Sequence, residues 1–153
     1  MSEIDDRLAA RGITLGAPAA PAANYVPVRR SGNTLYISGQ ISSGPNGLIS
    51  GKLGETMDVA AGQRAAEACA IALLAQIRHA AEAPLEKVRF VKLSVLVNAA
   101  PDFLEHHLVA NGASDLLVAV LGEAGGHARA AFGTASLPLG AAVEIEAVVD
   151  LIE

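Results

Sequence analysis

The sequence predicts a two-layer α+β domain in which two main helices cover one face of a mostly antiparallel or mixed sheet. Two observations predict this fold class. Strand-like and helix-like segments follow one another in the order ββ(loop)αβαββ, and their hydrophobic residues recur at the spacing of each element type. The chain has 153 residues, 52% hydrophobic and 18% charged, which is typical of one core-forming domain. We therefore predict a single domain over residues 1–153, with residues 1–20 as an N-terminal extension and residues 21–153 as its main body.

A short helix and an extended connector are predicted before the first strand. Ile4 to Ala10 can form a helix, which Gly12 ends. Residues 15–23 contain Pro18 and Pro21 among alanines, a composition typical of an extended connector.

A hairpin is predicted next. Tyr25 to Val28 can form at most an edge strand, because Pro27 has no N–H to donate to a neighbouring strand. Residues 30–33 supply turn residues, and Thr34 to Gln40 is β-branched and aromatic enough for the second strand. The glycine-rich residues 44–54 then predict a loop or a small hairpin.

The first main helix is predicted from an N-cap at Thr56 to about Ala83, where Pro84 ends it. Asp58 lies in the first turn, where the helix dipole favours an anion. Apolar and small residues recur along the segment every three or four positions. Because Gly62 is one of them, the helix should pack closely on a sheet.

The next segment, Lys87 to Asn98, is a strand by composition. Its odd positions are uniformly apolar, whereas its even positions are mixed. The odd residues are Val91, Leu93, Val95 and Val97. One face should therefore be core, and the other wetter but still partly covered.

The second main helix is predicted to open at residues 100–102, with Pro101 at an early position where its missing N–H costs nothing. We expect it to bend or break near Asn111 and Gly112 and to end at Gly122.

Two further strands are predicted at His127 to Ser136 and Ala142 to Ile152, joined by residues 137–140. In the last strand the odd positions are apolar and should face the core. The even positions include Glu144, Glu146 and Asp150, so the opposite face should be acidic.

The chain is acidic and poor in aromatic residues. It has 16 Asp and Glu against 11 Lys and Arg, a net charge of −5, which argues against a nucleic-acid partner. Aromatic residues make up 3% of the chain, so the core must be built from smaller side chains that each bury less area. Together with the semi-polar second sheet face, this composition favours further burial against other subunits.

A cytoplasmic protein without a membrane segment is predicted. The single cysteine, Cys69, excludes an internal disulfide and favours a reducing compartment. The acidic N-terminus differs from the basic start of a signal peptide, and the apolar runs are shorter than the ~18 residues of a spanning helix.

Neither a metal site nor a cofactor is predicted. The four histidines, His79, His106, His107 and His127, form no His-x-x-x-His pair, and no Cys-x-x-Cys spacing occurs. Phosphate loops and Gly-x-Gly-x-x-Gly motifs are also missing. Cys69 lies in mid-helix among apolar residues, so we interpret it as a small core residue rather than a nucleophile.

Arg129 is the candidate functional residue that chemistry singles out. It lies among small and apolar residues, and a guanidinium in such a place needs a carboxylate, which its planar fork binds with two hydrogen bonds. The carboxylate is either internal, from Glu144 or Glu146, or belongs to a substrate. From composition alone the internal pair is the better expectation.

Seven segments within residues 20–152 carry a wider pattern. They are Tyr25, Leu35–Ile41 with its Ser-Gly-Gln, Gln63, Val91–Val97, Arg129, Leu137–Pro138 and Val143–Ala147. In this order and spacing they resemble the RidA/YjgF family of enamine/imine deaminases, also labelled endoribonuclease L-PSP. The resemblance implies a chorismate-mutase-like fold and a homotrimer, in which three sheets form a central barrel and the active sites lie in clefts between subunits.

The resemblance also implies the chemistry. Members hydrolyse 2-imino or 2-enamino acids to 2-keto acids and ammonia, without a cofactor. By this resemblance Arg129 holds the substrate carboxylate, Glu144 orients or activates water, and Tyr25 closes the pocket. Ser38 and Gly39 line it through hydroxyl and backbone groups.

Departures from the family pattern indicate a separate subgroup. His127 stands where the family usually has Pro, and Ala131 where Cys is frequent. The Ala131 position is implied to contribute mainly backbone contacts. His127 either adds a titratable group to the pocket or is a histidine at its rim.

Two other functions stay open. One is an endoribonuclease or translation inhibitor, which the older family label invites and the acidic composition opposes. The other is a trimer that binds a stable carboxylate in the same pocket without turnover.

Overall fold

The computed structural model describes residues 2–18, 20–21 and 23–152. The helices are α1 (Glu3–Ala10), α2 (Val59–Ala75) and α3 (His106–Leu121). The strands are β1 (Val28–Ser31), β2 (Thr34–Ile41), β3 (Ser43–Gly44), β4 (Gly47–Leu48), β5 (Val88–Asn98), β6 (Ala128–Thr134) and β7 (Val143–Leu151). A π-helical turn, Gln76–Ala80, extends α2, and short 3-10 turns occur at Leu85–Lys87, Gly122–Gly125 and Pro138–Gly140. This order confirms the predicted α+β class.

Five strands form a mixed sheet in the order β1-β2-β7-β5-β6, and β3 and β4 form a separate small hairpin. The β5 and β6 strands are parallel, and the other neighbours in the sheet are antiparallel. Because α3 connects the two parallel strands, it runs back over the sheet beside α2. Both main helices therefore cover one face, as predicted, and the other face is open.

The core lies between the helices and the sheet. Its sheet side is formed by alternate residues, which include Leu35, Ile37, Leu93, Val95, Val97, Val143, Ile145, Ala147 and Val149. Many of the buried helix residues are alanines, and these include Ala65, Ala66, Ala70, Ala110 and Ala113. Small side chains let helix and sheet backbones approach closely, which fits a chain with few aromatic rings.

The N-terminal extension packs on this core. Ser2 and Asp5 form a reciprocal capping box at the start of α1. Ile4 and Leu8 are buried, and Arg7 donates a hydrogen bond from Nη1 to the carbonyl of Val120 on α3 (3.0 Å).

The alternation predicted for β5 is wrong at Val91. The register of β5 against β7 shifts between Phe90 and Lys92, so a β-bulge rotates the strand there. Phe90 is consequently buried, whereas 38% of Val91 is exposed. The predicted pattern holds from Leu93 onward.

Three predicted element starts are also wrong. The N-cap of α2 is Asp58, whose Oδ1 accepts the N–H of Ala61 at 2.8 Å, while the Thr56 hydroxyl accepts the N–H of Lys52 in the preceding turn. Likewise α3 begins at His106 rather than near Pro101, which lies in a turn. At the N-terminal side, β1 starts at Val28, so residues 25–27 precede the strand.

The expected break of α3 at Asn111 and Gly112 does not occur, because the helix is continuous from His106 to Leu121. Gly112 lies where α3 crosses α2. A Cβ on it would lie only 2.7 Å from the carbonyl carbon of Gln63. The glycine therefore permits close helix packing instead of interrupting the helix.

Among the described residues, one helical stretch is long and apolar enough to cross a membrane. The segment His106–Gly125 has 20 residues and a mean hydropathy of 1.2. Its apolar residues, however, include Val109, Leu117 and Val120, which are buried against the rest of the chain. The segment is thus the core helix α3 with its 3-10 extension.

We predict that Gly112→Ala destabilises the protein by about 1–3 kcal/mol, the usual cost of overpacking. In an isolated helix the same change would stabilise by up to ~1 kcal/mol, but here the added methyl group meets the immobile backbone of Gln63. Urea unfolding measures the effect. Gly16→Ala is the control, because no atom lies within 4 Å of a Cβ at Gly16. Equal or greater stability of the Gly112 variant would contradict the prediction.

Candidate active site

Glu144 lies on β7 with its side chain on the open face of the sheet. Its neighbours Val143 and Ile145 are buried on the helix face, and Glu144 itself is half-buried. This burial, together with the nearby charge of Glu146, raises the pKa of the Glu144 carboxyl above its ordinary value. A carboxylate of raised pKa is a stronger base than an exposed one.

Gly39 provides the space that the Glu144 side chain occupies. The register of β2 against β7 shifts between Ile37 and Gln40, so Ser38 and Gly39 form a bulge. A Cβ on Gly39 would lie 3.0 Å from the carboxyl carbon of Glu144. Only glycine leaves the carboxyl group in its present position.

Ser38 ties the segment before β1 to this bulge. Its hydroxyl donates to the carbonyl of Val26 at 2.7 Å, and its N–H donates to the carbonyl of Pro27 at 2.9 Å. Tyr25, which is 48% exposed, therefore lies in a segment anchored beside Ser38. Four predicted site residues, Tyr25, Ser38, Gly39 and Glu144, thus belong to one part of the chain surface, which we call the glutamate group.

Arg129 lies on the other face of the sheet. It is paired with Leu93 in the parallel β5–β6 register, so it is on the face that the helices cover. Its Nη1 donates to Asn111 Oδ1 at 2.9 Å and to Ser114 Oγ at 3.1 Å. Its Nη2 donates to the carbonyl of His107 at 3.3 Å. Helix α3 therefore holds the guanidinium at the edge of the domain.

The internal ion pair expected from composition is not found. Among the ion pairs of the described residues, none includes Arg129, Glu144 or Glu146. The reason is topological, since the arginine and the two glutamates project from opposite faces of the sheet. The strand β5 also separates β6 from β7.

His127 and Ala131 flank Arg129. His127 Nε2 lies 2.8 Å from Ser114 Oγ, and its Nδ1 lies 2.6 Å from the carbonyl oxygen of Gly125. Both ring nitrogens of His127 therefore have hydrogen-bond partners among the described residues. Ala131 is partly buried and packs against the core. Arg129, His127, Ala131, Asn111 and Ser114 form what we call the arginine group.

Asn111 and Ser114 are site residues that the sequence analysis missed. Asn111 was expected at a bend or break of the helix, and Ser114 was not singled out. Their spacing of three residues, on one face of a helix that is otherwise rich in apolar residues, is the signal that could have indicated a shared polar contact.

Other chemistry finds little support in the described part of the chain. No three His, Cys, Asp or Glu side chains come together there as a metal site would require. Cys69 is fully buried and its burial raises the pKa of the thiol, which disfavours the reactive thiolate.

Comparisons with known proteins agree with this architecture. Residues 5–151 match the family described as "YjgF/chorismate mutase-like, putative endoribonuclease". The chain is 50% identical to protein TCP17 of Trypanosoma cruzi over 143 residues, 92% of this chain and 89% of that protein. A crystal structure of a protein of unknown function from Agrobacterium tumefaciens is 48% identical, with a TM-score of 0.90 over 97% of this chain and 92% of that one. RidA from the Antarctic bacterium Psychrobacter sp. PAMC 21119 is 34% identical, with a TM-score of 0.61 over 90% of this chain and 96% of that one.

We predict that Glu144→Gln stabilises the protein at neutral pH. Because the pKa of Glu144 is raised on folding, ionising it costs more in the folded than in the unfolded chain. The gain in the free energy of unfolding should be complete above the raised pKa of Glu144. It should vanish below the ordinary pKa of glutamate, where the carboxyl is protonated in both the folded and the unfolded chain.

Urea unfolding from about pH 3 to pH 8 measures this difference. Glu86→Gln serves as the control, because Glu86 is an exposed glutamate in the turn before β5. A Glu144→Gln effect of equal size at acidic and neutral pH would contradict the explanation.

Proposed function

The chain belongs to the YjgF/chorismate-mutase-like family, and we propose that it hydrolyses 2-imino and 2-enamino acids to 2-keto acids and ammonia. The single observation that carries this proposal is the state of Arg129. Three neutral oxygen atoms hold its guanidinium, and no carboxylate of the described residues neutralises it.

Arg129 is the group that binds the substrate. Three hydrogen bonds to α3 use three of its five N–H donors, so two donors have no partner among the described residues. A substrate carboxylate fits them in charge and geometry, because the fork of a guanidinium matches the two oxygens of a carboxylate. The substrate class is therefore a small organic acid.

Glu144 is the general base that acts on the attacking water. Its raised pKa makes the carboxylate a better proton acceptor than an exposed glutamate. Glu144 takes a proton from water as the oxygen attacks C2 of the imine, and the imine nitrogen gains a proton. The C–N bond of the resulting carbinolamine then breaks as its hydroxyl proton passes, by way of the Glu144 carboxylate, to the leaving nitrogen, which releases ammonia and gives the 2-keto acid. Orientation of water suffices here because the imine carbon is already electrophilic.

The complete site requires two copies of the chain. In one chain Glu144 and Arg129 project from opposite faces of the sheet, so one substrate cannot contact both. A homotrimer with heterologous contacts would bring the arginine group of one subunit to the glutamate group of the next. The open sheet face has apolar area to bury in such contacts, because Tyr36 and Phe132 are 50% and 45% exposed.

RNA cleavage is the second activity to assay, because the family description names endoribonucleases. The net charge of −5 opposes it, since binding of RNA relies on neutralisation of phosphates by basic residues. RNA cleavage that is lost with Arg129→Ala would favour this second function.

We predict that the protein accelerates keto-acid formation when a threonine or serine dehydratase supplies the imine, and that Arg129→Ala lowers kcat/KM by about 10- to 150-fold. This is the range for loss of a hydrogen bond to a charged group, ~1.5–3 kcal/mol. Arg129→Lys should recover only part of the loss, because lysine keeps the charge but not the fork.

Arg64→Ala, at an exposed arginine of α2, is the matched control and should behave as the wild type. Unchanged acceleration with Arg129→Ala would disprove the assigned role. Binding of 2-ketobutyrate without acceleration would instead favour a carboxylate-binding protein without turnover.

We also predict that two inactive variants complement each other. Co-expressed Arg129→Ala and Glu144→Ala chains should recover about a quarter of the wild-type activity, because random assembly gives about a quarter of the interfaces both native groups. Purified mixed oligomers and each variant alone are assayed side by side. If the mixture is as inactive as its components, the site is not shared between subunits.

A further inference from the structure

We propose that Asn111, Ser114 and His127 are positioning residues, which hold the Arg129 guanidinium in one orientation for the substrate carboxylate. This inference rests on the proposed function, since it concerns how the same site binds its substrate. None of the three needs to touch the substrate, because they act through Arg129.

The first part of the argument is the way Arg129 is held. Arg129 is an exposed side chain on the edge strand β6, where a guanidinium would normally sample many conformations. Its three acceptors are provided by residues 107, 111 and 114, which are i, i+4 and i+7 of α3 and so form one stripe along the helix. Both N–H groups of Nη1 are used by Asn111 and Ser114. The plane of the guanidinium is therefore fixed from one side.

The second part is the direction of the hydrogen bonds behind Ser114. The carbonyl of Gly125 can only accept, so the Nδ1 of His127 must carry the proton at 2.6 Å from it. In the neutral imidazole Nε2 is then an acceptor, and it accepts a hydrogen bond from the Ser114 hydroxyl at 2.8 Å. The Ser114 oxygen keeps its lone pairs free to accept from Arg129. The network runs in one direction, from Arg129 through Ser114 and His127 to Gly125.

The third part is the charge of these partners. Asn111, Ser114 and the carbonyl of His107 orient the guanidinium without neutralising it, so its positive charge stays available to a ligand. An acidic residue in the place of Asn111 would hold Arg129 as well or better, but its carboxylate would neutralise the positive charge of the guanidinium. A merely structural role for Asn111 would tolerate that change, whereas a role in preparing Arg129 for a carboxylate would not.

The test is binding of 2-ketobutyrate, a stable carboxylate, by calorimetry, together with kcat and KM in the dehydratase-coupled assay. We expect Asn111→Asp to weaken binding by about tenfold or more without lowering the unfolding temperature. Ser114→Ala should raise KM several-fold and leave kcat nearly unchanged. The substitution removes one hydrogen bond from the Arg129 guanidinium and does not alter Glu144.

Asn46→Asp is the matched control, since Asn46 is an exposed asparagine in the small β3–β4 hairpin. It makes the same chemical change as Asn111→Asp and should bind as the wild type. Should Asn111→Asp fail to fold, Asn111→Ser replaces it. With its shorter side chain it should loosen Arg129, which appears as a raised KM and as a broadened NMR signal of the Arg129 Nε–H.

The outcomes separate this inference from the function on which it rests. If the wild type neither binds 2-ketobutyrate nor accelerates keto-acid formation, both proposals are wrong. If the wild type does so and Arg129→Ala does not, while Asn111→Asp and Ser114→Ala match the wild type, the proposed function stands and the positioning role is wrong.

Discussion

The close approach of α3 to α2 at Gly112 links the packing of the helices to the geometry of the candidate site. With no side chain at this position, the α3 backbone reaches the backbone of Gln63, and Gln63 in turn donates a hydrogen bond from Nε2 to the carbonyl of Leu108 at 2.9 Å. Asn111 immediately precedes Gly112 in the chain. The packing of the two helices therefore sets where the acceptors for Arg129 lie. A change in this packing would also change the candidate site.

The sheet has a second consequence for the site, because it keeps opposite charges apart. Arg129 on the helix face and Glu144 on the open face cannot pair within a chain, although both are available for pairing. An internal ion pair would have neutralised the binding group and lowered the pKa of the base. Separation across the sheet leaves each residue with the property that the proposed reaction needs, and in the proposed trimer the two groups would meet between subunits.

The sequence predicted the order of elements and most core positions, because period and turn residues are local properties. It was wrong where a residue depends on its neighbours in space. Val91 faces outward because the pairing with β7 contains a bulge, and a bulge changes the face of a residue without any change in composition. Gly112 was interpreted as a break because glycine weakens a helix, whereas its partner on α2 is 49 positions earlier in the chain and invisible to local patterns.

The α+β class and the family follow from the sequence, because the order of the motifs and the period of the hydrophobic residues are local properties of the chain. Three relations come from the folded chain instead. Arg129 and Glu144 lie on opposite faces of the sheet, and Gly39 leaves space for the Glu144 carboxyl. Asn111 and Ser114 accept hydrogen bonds from Arg129, and His127 contacts Ser114. These relations join residues up to about a hundred positions apart, and strand register and helix crossing set them. Both depend on how the whole core packs, which no single segment specifies.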